Sequence, residues 1–166
     1  MTKGVFPGTF DPVTRGHVDI ARRGATMFDE LIVAVGANPA KRSIFTHNER
    51  MEMVREELGG IRGIRVAGFT GLLIDFVRDQ GAQLVLRGVR GVTDLEYEFQ
   101  MAYTNRQAGE NVETLYIMPD PRYAWLNARL IREVAAMGGN VDAFVSPQVA
   151  ERLKQRLTER KEQEPL

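Results

Sequence analysis

Cysteine is absent from this sequence, which excludes thiol catalysis, a disulfide framework and cysteinyl metal sites, and fits a cytoplasmic location. Histidine occurs twice, as His17 and His47, and tryptophan once, as Trp125. No apolar run approaches the ~20 residues of a membrane-spanning helix, and the N-terminus lacks the basic and apolar blocks of a signal peptide. An excess of either charge is also missing. Lysine plus arginine number 22 and aspartate plus glutamate number 22, so no global field recruits nucleic acid or a membrane, and local clusters must do any anion binding. No Asp/Glu/His grouping has metal-site spacing, so no resident metal is expected. A soluble, unprocessed protein follows as the expectation.

The 166 residues suit one ordinary domain that buries roughly 70% of its unfolded surface. Apolar β-rich runs alternate with helical patterns. Strands are predicted at residues 4–6, 31–35, 64–66, 84–86 and 114–118, and helices at 17–28, 49–58, 72–80, 94–108, 128–137 and 147–159. Thr46-His47-Asn48-Glu49 and Thr93-Asp94-Leu95-Glu96 each match a capping box, and Gly81 and Gly138-Gly139 make good stops. Strands alternating with helices in this way predict a single α/β domain, a Rossmann-like, doubly wound, five-stranded parallel sheet. The domain is expected over 1–160, with 161–166 a frayed polar tail. No internal repeat or linker interrupts it.

One stretch concentrates the chemistry. Phe6-Pro7-Gly8-Thr9-Phe10-Asp11-Pro12-Val13-Thr14-Arg15-Gly16-His17 runs from an apolar strand through a stiff loop into a helical pattern. Gly8 and Gly16 lack a Cβ, so the backbone there can approach a ligand or take positive φ. His17 falls in the first helical turn, where free backbone N–H groups and the dipole attract anions. The same dipole disfavours imidazolium, so a neutral ring could donate one hydrogen bond to a phosphoryl oxygen.

Ligands of parallel sheets bind beyond the carboxyl ends of the strands. That rule selects Thr9 and Phe10 after the first strand, Lys41 after the second, Gly71 to Leu73 after the third, Arg87 and Arg90 after the fourth, and Pro119 onward after the fifth. Guanidinium forks suit phosphate oxygens, and a lysine adds a mobile point charge, so the rim reads as a polyanion site. Other residues take ordinary readings: His47 as an exposed first-turn residue, Lys41 beside Arg42 as a solvated pair in isolation, and Glu98 in the acidic run Asp94, Glu96, Glu98 as part of a solvated face. Phe99, Met101 and Tyr103 read as core or subunit interface, Asn105 and Arg106 as structural.

Gly8-Thr9-Phe10-Asp11-Pro12 followed by Thr14-x-Gly16-His17 resembles the signature of the HxGH nucleotidylyltransferase superfamily, with threonine for the first histidine. Lys41, Phe45-Thr46-x-x-Glu49-Arg50, Arg87-Gly88-Val89-Arg90 and Glu96-Tyr97-Glu98 extend the likeness to the branch that adenylylates 4′-phosphopantetheine. The resemblance implies direct in-line transfer of the adenylyl group of ATP to 4′-phosphopantetheine, with dephospho-coenzyme A and pyrophosphate as products and Mg2+ arriving on ATP. It implies that Thr9, Lys41, Leu73 and Arg87 contact the acceptor. Thr9, Phe10, His17, Gly88, Val89, Arg90, Glu98 and the loop Tyr123, Ala124, Trp125, Leu126, Asn127, Ala128, Arg129 would hold ATP. His17, Lys41 and Arg90 would serve catalysis. It further implies a homohexamer and inhibition by coenzyme A, and no nucleic-acid or membrane partner.

One departure stands out. Where the superfamily shows a serine-rich run, this chain has Leu126-Asn127-Ala128-Arg129 before Leu130-Ile131-Arg132-Glu133-Val134. Asn127 can cap the helix, and Arg129 either replaces the missing hydroxyls with a charge or pairs outward with Glu133. Two other readings stay open on sequence: a superfamily enzyme with a different phosphorylated acceptor, and a non-catalytic nucleotide or coenzyme A sensor.

Overall fold

A computed structural model describes residues 1–37, 42–108 and 112–163. Five parallel strands alternate with helices: β1 (Lys3–Gly8), α1 (Arg15–Gly24), β2 (Glu30–Ala37), α2 (His47–Leu58), β3 (Ile64–Thr70), α3 (Leu73–Asp79), β4 (Leu84–Gly88), α4 (Val92–Ala108), β5 (Glu113–Ile117), α5 (Ala128–Ala136) and α6 (Pro147–Gln163). The strand order is β3-β2-β1-β4-β5. The expected doubly wound sheet is therefore present, its three central strands buried on both faces as in other parallel sheets. On one face Phe6, Leu31, Val33, Val35 and Leu86 pack with Ile20, Met53, Ile131 and Leu153. On the other, Val5, Ile32, Ala34 and Val85 meet Ile74 and Val77. The alternation along β1 and β2 divides one apolar run between two cores.

The chain reverses direction across the sheet between β1 and β4, and the ladder is cut there. β1 pairs with β2 as far as Gly8↔Val35, but with β4 only through Gly4↔Leu84 and Val5↔Val85. Beyond Val5 comes Pro7, which has no N–H to give a ladder. Meanwhile β4 continues to Gly88, paired with Ile117 of β5. The two central strands thus part at their carboxyl ends, and a crevice opens at the topological switch point, the usual ligand position in this architecture.

Several boundaries differ from the sequence reading. α1 ends at Gly24 rather than near Phe28, and α6 runs on to Gln163, so the first residues of the expected tail are helical. α4 starts at Val92, so Thr93, the expected cap, falls inside the helix and Asp94 stays in its first turn. The Thr46 capping box is present in full, and Gly81 and Gly138 take φ of 63° and 82° as helix stops. His47 is half-buried rather than exposed, its Nε2 2.9 Å from the Val35 carbonyl.

Candidate active site

The loop after β1 is fixed by the start of α1. Thr14 is the N-cap: its hydroxyl accepts the His17 N–H at 3.3 Å, and its own N–H donates to His17 Nδ1 at 3.0 Å. The imidazole thus takes the place that glutamate holds in a capping box. A backbone N–H pointing at Nδ1 makes that nitrogen an acceptor, which puts the ring proton on Nε2. Burial, reinforced by Arg90 and Arg87, lowers the imidazole pKa to about 4. His17 is a neutral donor at ordinary pH.

Positive φ in this loop belongs to Phe10, at 51°, rather than to Gly8 or Gly16. The Phe10 ring is buried and sits edge-on to the imidazole, with centroids 5.0 Å apart. Gly88 serves packing. A Cβ there would lie 2.1 Å from Ile20 Cδ1, so the glycine lets α1 close onto β4.

The two arginines at the carboxyl end of β4, Arg87 within the strand and Arg90 just beyond it, are held by carboxylates. Arg87 Nε donates to Glu98 Oε2 at 2.7 Å, a second guanidinium nitrogen bonds Oε1, and Nη1 donates to the Pro7 carbonyl at 3.0 Å. Glu98 is therefore 8% exposed and paired, where the acidic run alone predicted a solvated face. Arg90 donates through Nε to Asp94 Oδ2 at 2.9 Å, through Nη2 to Oδ1 at 3.3 Å and through Nη1 to the Leu126 carbonyl at 2.6 Å. Each guanidinium has five N–H groups. Three bonds apiece orient both forks and leave donors over for a ligand.

The loop after β5 is clipped to α1. Asp19 Oδ2 accepts the Asp120 N–H at 2.9 Å, and Arg23 Nη1 donates to the Met118 carbonyl at 2.5 Å. Asn127 caps α5, its side-chain oxygen accepting the Arg129 N–H at 2.9 Å. Arg129 itself turns away, its Nε 3.0 Å from Glu133 Oε1 and its side chain 80% exposed. One turn after Ala128, Arg132 faces inward and donates to the Asp11 carbonyl at 2.5 Å. Asp11 is buried, and its carboxylate accepts the Ile44 and Phe45 N–H groups at 2.9 and 3.0 Å.

One cleft of about 880 Å³ opens at this site. It brings together Thr9, Phe10, His17, Leu73, Arg87, Gly88, Arg90, Glu98, Tyr123, Leu126, Asn127 and Ala128. Val89 is buried and, with Ala124, Trp125 and Arg129, stands outside the lining; Trp125 is turned edge-on to Phe144. Lys41 lies outside the described residues. Sequence reasoning missed Arg132, whose signal was its spacing of four from Ala128 on the same helical face. It also missed the inner face of α4, where Met101 and Asn105 line the cleft. Among the described residues no three His, Asp or Glu side chains come together as a metal site. The cleft thus offers a neutral imidazole donor, oriented guanidinium groups and two helix N-termini around one space, which equips it to hold phosphates and to orient two of them.

Residues 5–134 match the cytidylyltransferase-like family. A phosphopantetheine adenylyltransferase of Thiobacillus denitrificans is 49% identical over 159 residues, covering 96% of this chain and 99% of its own length. One of Ralstonia pickettii is 49% identical over 156 residues, covering 94% and 93% respectively. Among solved structures, a proposed nicotinate-nucleotide adenylyltransferase from Vibrio parahaemolyticus superimposes with a TM-score of 0.69 over 95% of both chains, at 17% identity, a likeness of fold. No helix of the described residues is long and apolar enough to cross a membrane.

Proposed function

The chain belongs to the phosphopantetheine adenylyltransferase family, and we propose how its cleft carries out that chemistry. It is a nucleotidyltransferase of coenzyme A biosynthesis, and it transfers the adenylyl group of ATP to 4′-phosphopantetheine, giving dephospho-coenzyme A and pyrophosphate. A phosphate oxygen of the acceptor attacks the α-phosphorus, and the bond to the bridging oxygen of the β-phosphate breaks, so pyrophosphate leaves with the electron pair. The nucleophile is already an anion and needs no strong general base. What remains for the protein is orientation and stabilisation of charge at phosphorus.

The observation that carries this reading is the hydrogen bond from the Thr14 N–H to His17 Nδ1. With Nδ1 held on the Thr14 N–H and the ring neutral, Nε2–H is the group to meet charge growing on the α-phosphoryl oxygen. Thr9, Lys41, Leu73 and Arg87 hold the acceptor. Phe10, the Gly88-to-Arg90 segment, Glu98 and the loop before α5 hold ATP, with Arg90 and Arg132 toward its phosphates and the Asn127-capped helix end adding N–H donors. Mg2+ enters on ATP. Association between copies is supported by α4, which exposes Tyr97, Phe99 and Tyr103; a homohexamer, a cytoplasmic setting and inhibition by coenzyme A, which carries the product within it, complete the reading.

The test is direct. Purified protein with Mg-ATP and 4′-phosphopantetheine should release pyrophosphate and form dephospho-coenzyme A one for one. Binding of both substrates with no pyrophosphate would contradict the assignment, as would turnover only with another phosphorylated acceptor.

A further inference from the structure

Arg50 is an anomaly in this fold. It sits in α2, away from the cleft lining, yet it is charged and only 4% exposed. Taking a guanidinium out of water is costly, and apolar residues of similar volume commonly replace buried charges without loss. Its hydrogen bonds go to the backbone of the loop after β1 and of the carboxyl end of β2: Nη1 donates to the Thr9 carbonyl at 2.5 Å and to the Gly36 carbonyl at 2.8 Å. Nε has no partner among the described residues. The favourable charge facing Arg50 is the buried Asp11 carboxylate.

The Thr9 carbonyl belongs to the peptide that leads into Phe10. A bulky side chain at φ 51° is strained, and such a conformation persists where its surroundings over-determine it. Here the anchors stand on both sides. Arg50 holds the carbonyl before Phe10, and Arg132 holds the Asp11 carbonyl after it, while the Asp11 carboxylate takes two amides. The Phe10 ring, pressed at 87° to Phe6 with centroids 5.6 Å apart, forms the wall of the His17 imidazole. The same imidazole accepts the Thr14 N–H at Nδ1 and lines the cleft.

We propose that Arg50 is a positioning residue for His17, acting through the Thr9–Phe10 peptide, a role that builds on the adenylyl-transfer reading above. Arg50 touches no substrate. It sets the backbone that sets the ring that sets the imidazole.

The test is a double-mutant cycle on the full chain with Arg50→Met, Phe10→Leu and the double variant, followed by kcat, KM for ATP and the imidazole resonances of His17. With only two histidines in the chain, those resonances are readily assigned. The expected result is a kcat lower by about 10-fold or more in each single variant, as a catalytic group shifts by a fraction of an ångström, with a smaller change in KM. The double variant should lose no more than the worse single one, because both break the same path. The His17 resonances should move in both singles. Unmoved His17 resonances in folded Arg50→Met, or losses that multiply in the double variant, would overturn the proposal, even with kcat reduced. Should Arg50→Met not fold, Arg50→Gln, which keeps one donor and removes the buried charge, takes its place under the same criteria. The resonances need no turnover, and wild-type activity is read separately, so failure here is distinct from failure of the assigned reaction.

Discussion

At the scale of single residues, His17 shows both what the sequence carries and where it stops. Its place at a helix start is legible from the pattern Thr14-x-Gly16-His17. Its tautomer is not, because that depends on the direction of one backbone N–H, which only the folded cap provides. The depressed pKa has a consequence for stability. The ring titrates near 6.5 when unfolded and near 4 when folded, so between these values the unfolded state binds a proton that the native state refuses. On this account stability is unaffected above pH 6.5, falls as the pH drops below it, and levels near pH 4. His17→Gln removes the effect: its urea midpoint should change less between pH 7.5 and pH 5 than that of the wild type, and equal changes would contradict the burial of a neutral ring.

Glu98 is the opposite case. Its local sequence says solvated helix, and no periodicity in residues 94–98 reports that Arg87 waits eleven residues upstream. The pairing is tertiary, so only the fold reveals it. Because Glu98 is buried against Arg87, Arg87→Ala should cost stability as well as acceptor affinity, by about 3 kcal/mol for an abandoned buried partner. Chemical denaturation reads this, and the Arg87→Ala/Glu98→Ala pair should recover part of the loss. A loss confined to 4′-phosphopantetheine binding would show that the ion pair is not structural.

At the scale of elements, caps were readable where side chain and backbone satisfy each other locally. Thr46 with Glu49 is such a case. Before α4 the same four-residue pattern misplaces the start, because the helix begins at Val92, ahead of the expected cap Thr93. α5 favours one of the two readings of its N-terminus. Sequence alone left Arg129 either facing phosphate or pairing outward, and the helix turns it outward to Glu133 while bringing Arg132 to the cleft. Arg129→Ser should therefore leave KM for ATP within about twofold, as expected for an exposed i,i+4 pair. Arg132→Met should weaken ATP by about 10-fold or more, the scale of a lost charged hydrogen bond. Titration calorimetry on both variants checks the assignment, and the reverse order of effects would restore Arg129 to the site.

At the scale of the whole molecule, the alternation of β-rich and helical runs disclosed a parallel sheet, and the strand-end rule disclosed most of the rim. The strand order did not follow from the sequence, since periodicity says which residues are buried and nothing about which strands are neighbours. Yet the order makes the site: with β1 beside β4, the ladder stops at Val5 and the loops bearing His17, Arg87 and Arg90 face one crevice. The α4 lining stayed hidden for the same reason, because Met101 and Asn105 gain meaning only once α4 lies over that crevice. On the proposed reading the fold holds charges still around two phosphates, with the neutral imidazole as the group that would act on the transition state. The most direct test compares wild type with His17→Ala at saturating Mg-ATP and 4′-phosphopantetheine. The expected result is a fall in kcat of about 10²-fold or more, with both KM values changed far less, as for the loss of a donor aimed at developing charge. A folded His17→Ala protein that keeps its kcat, or loses only substrate affinity, would contradict it.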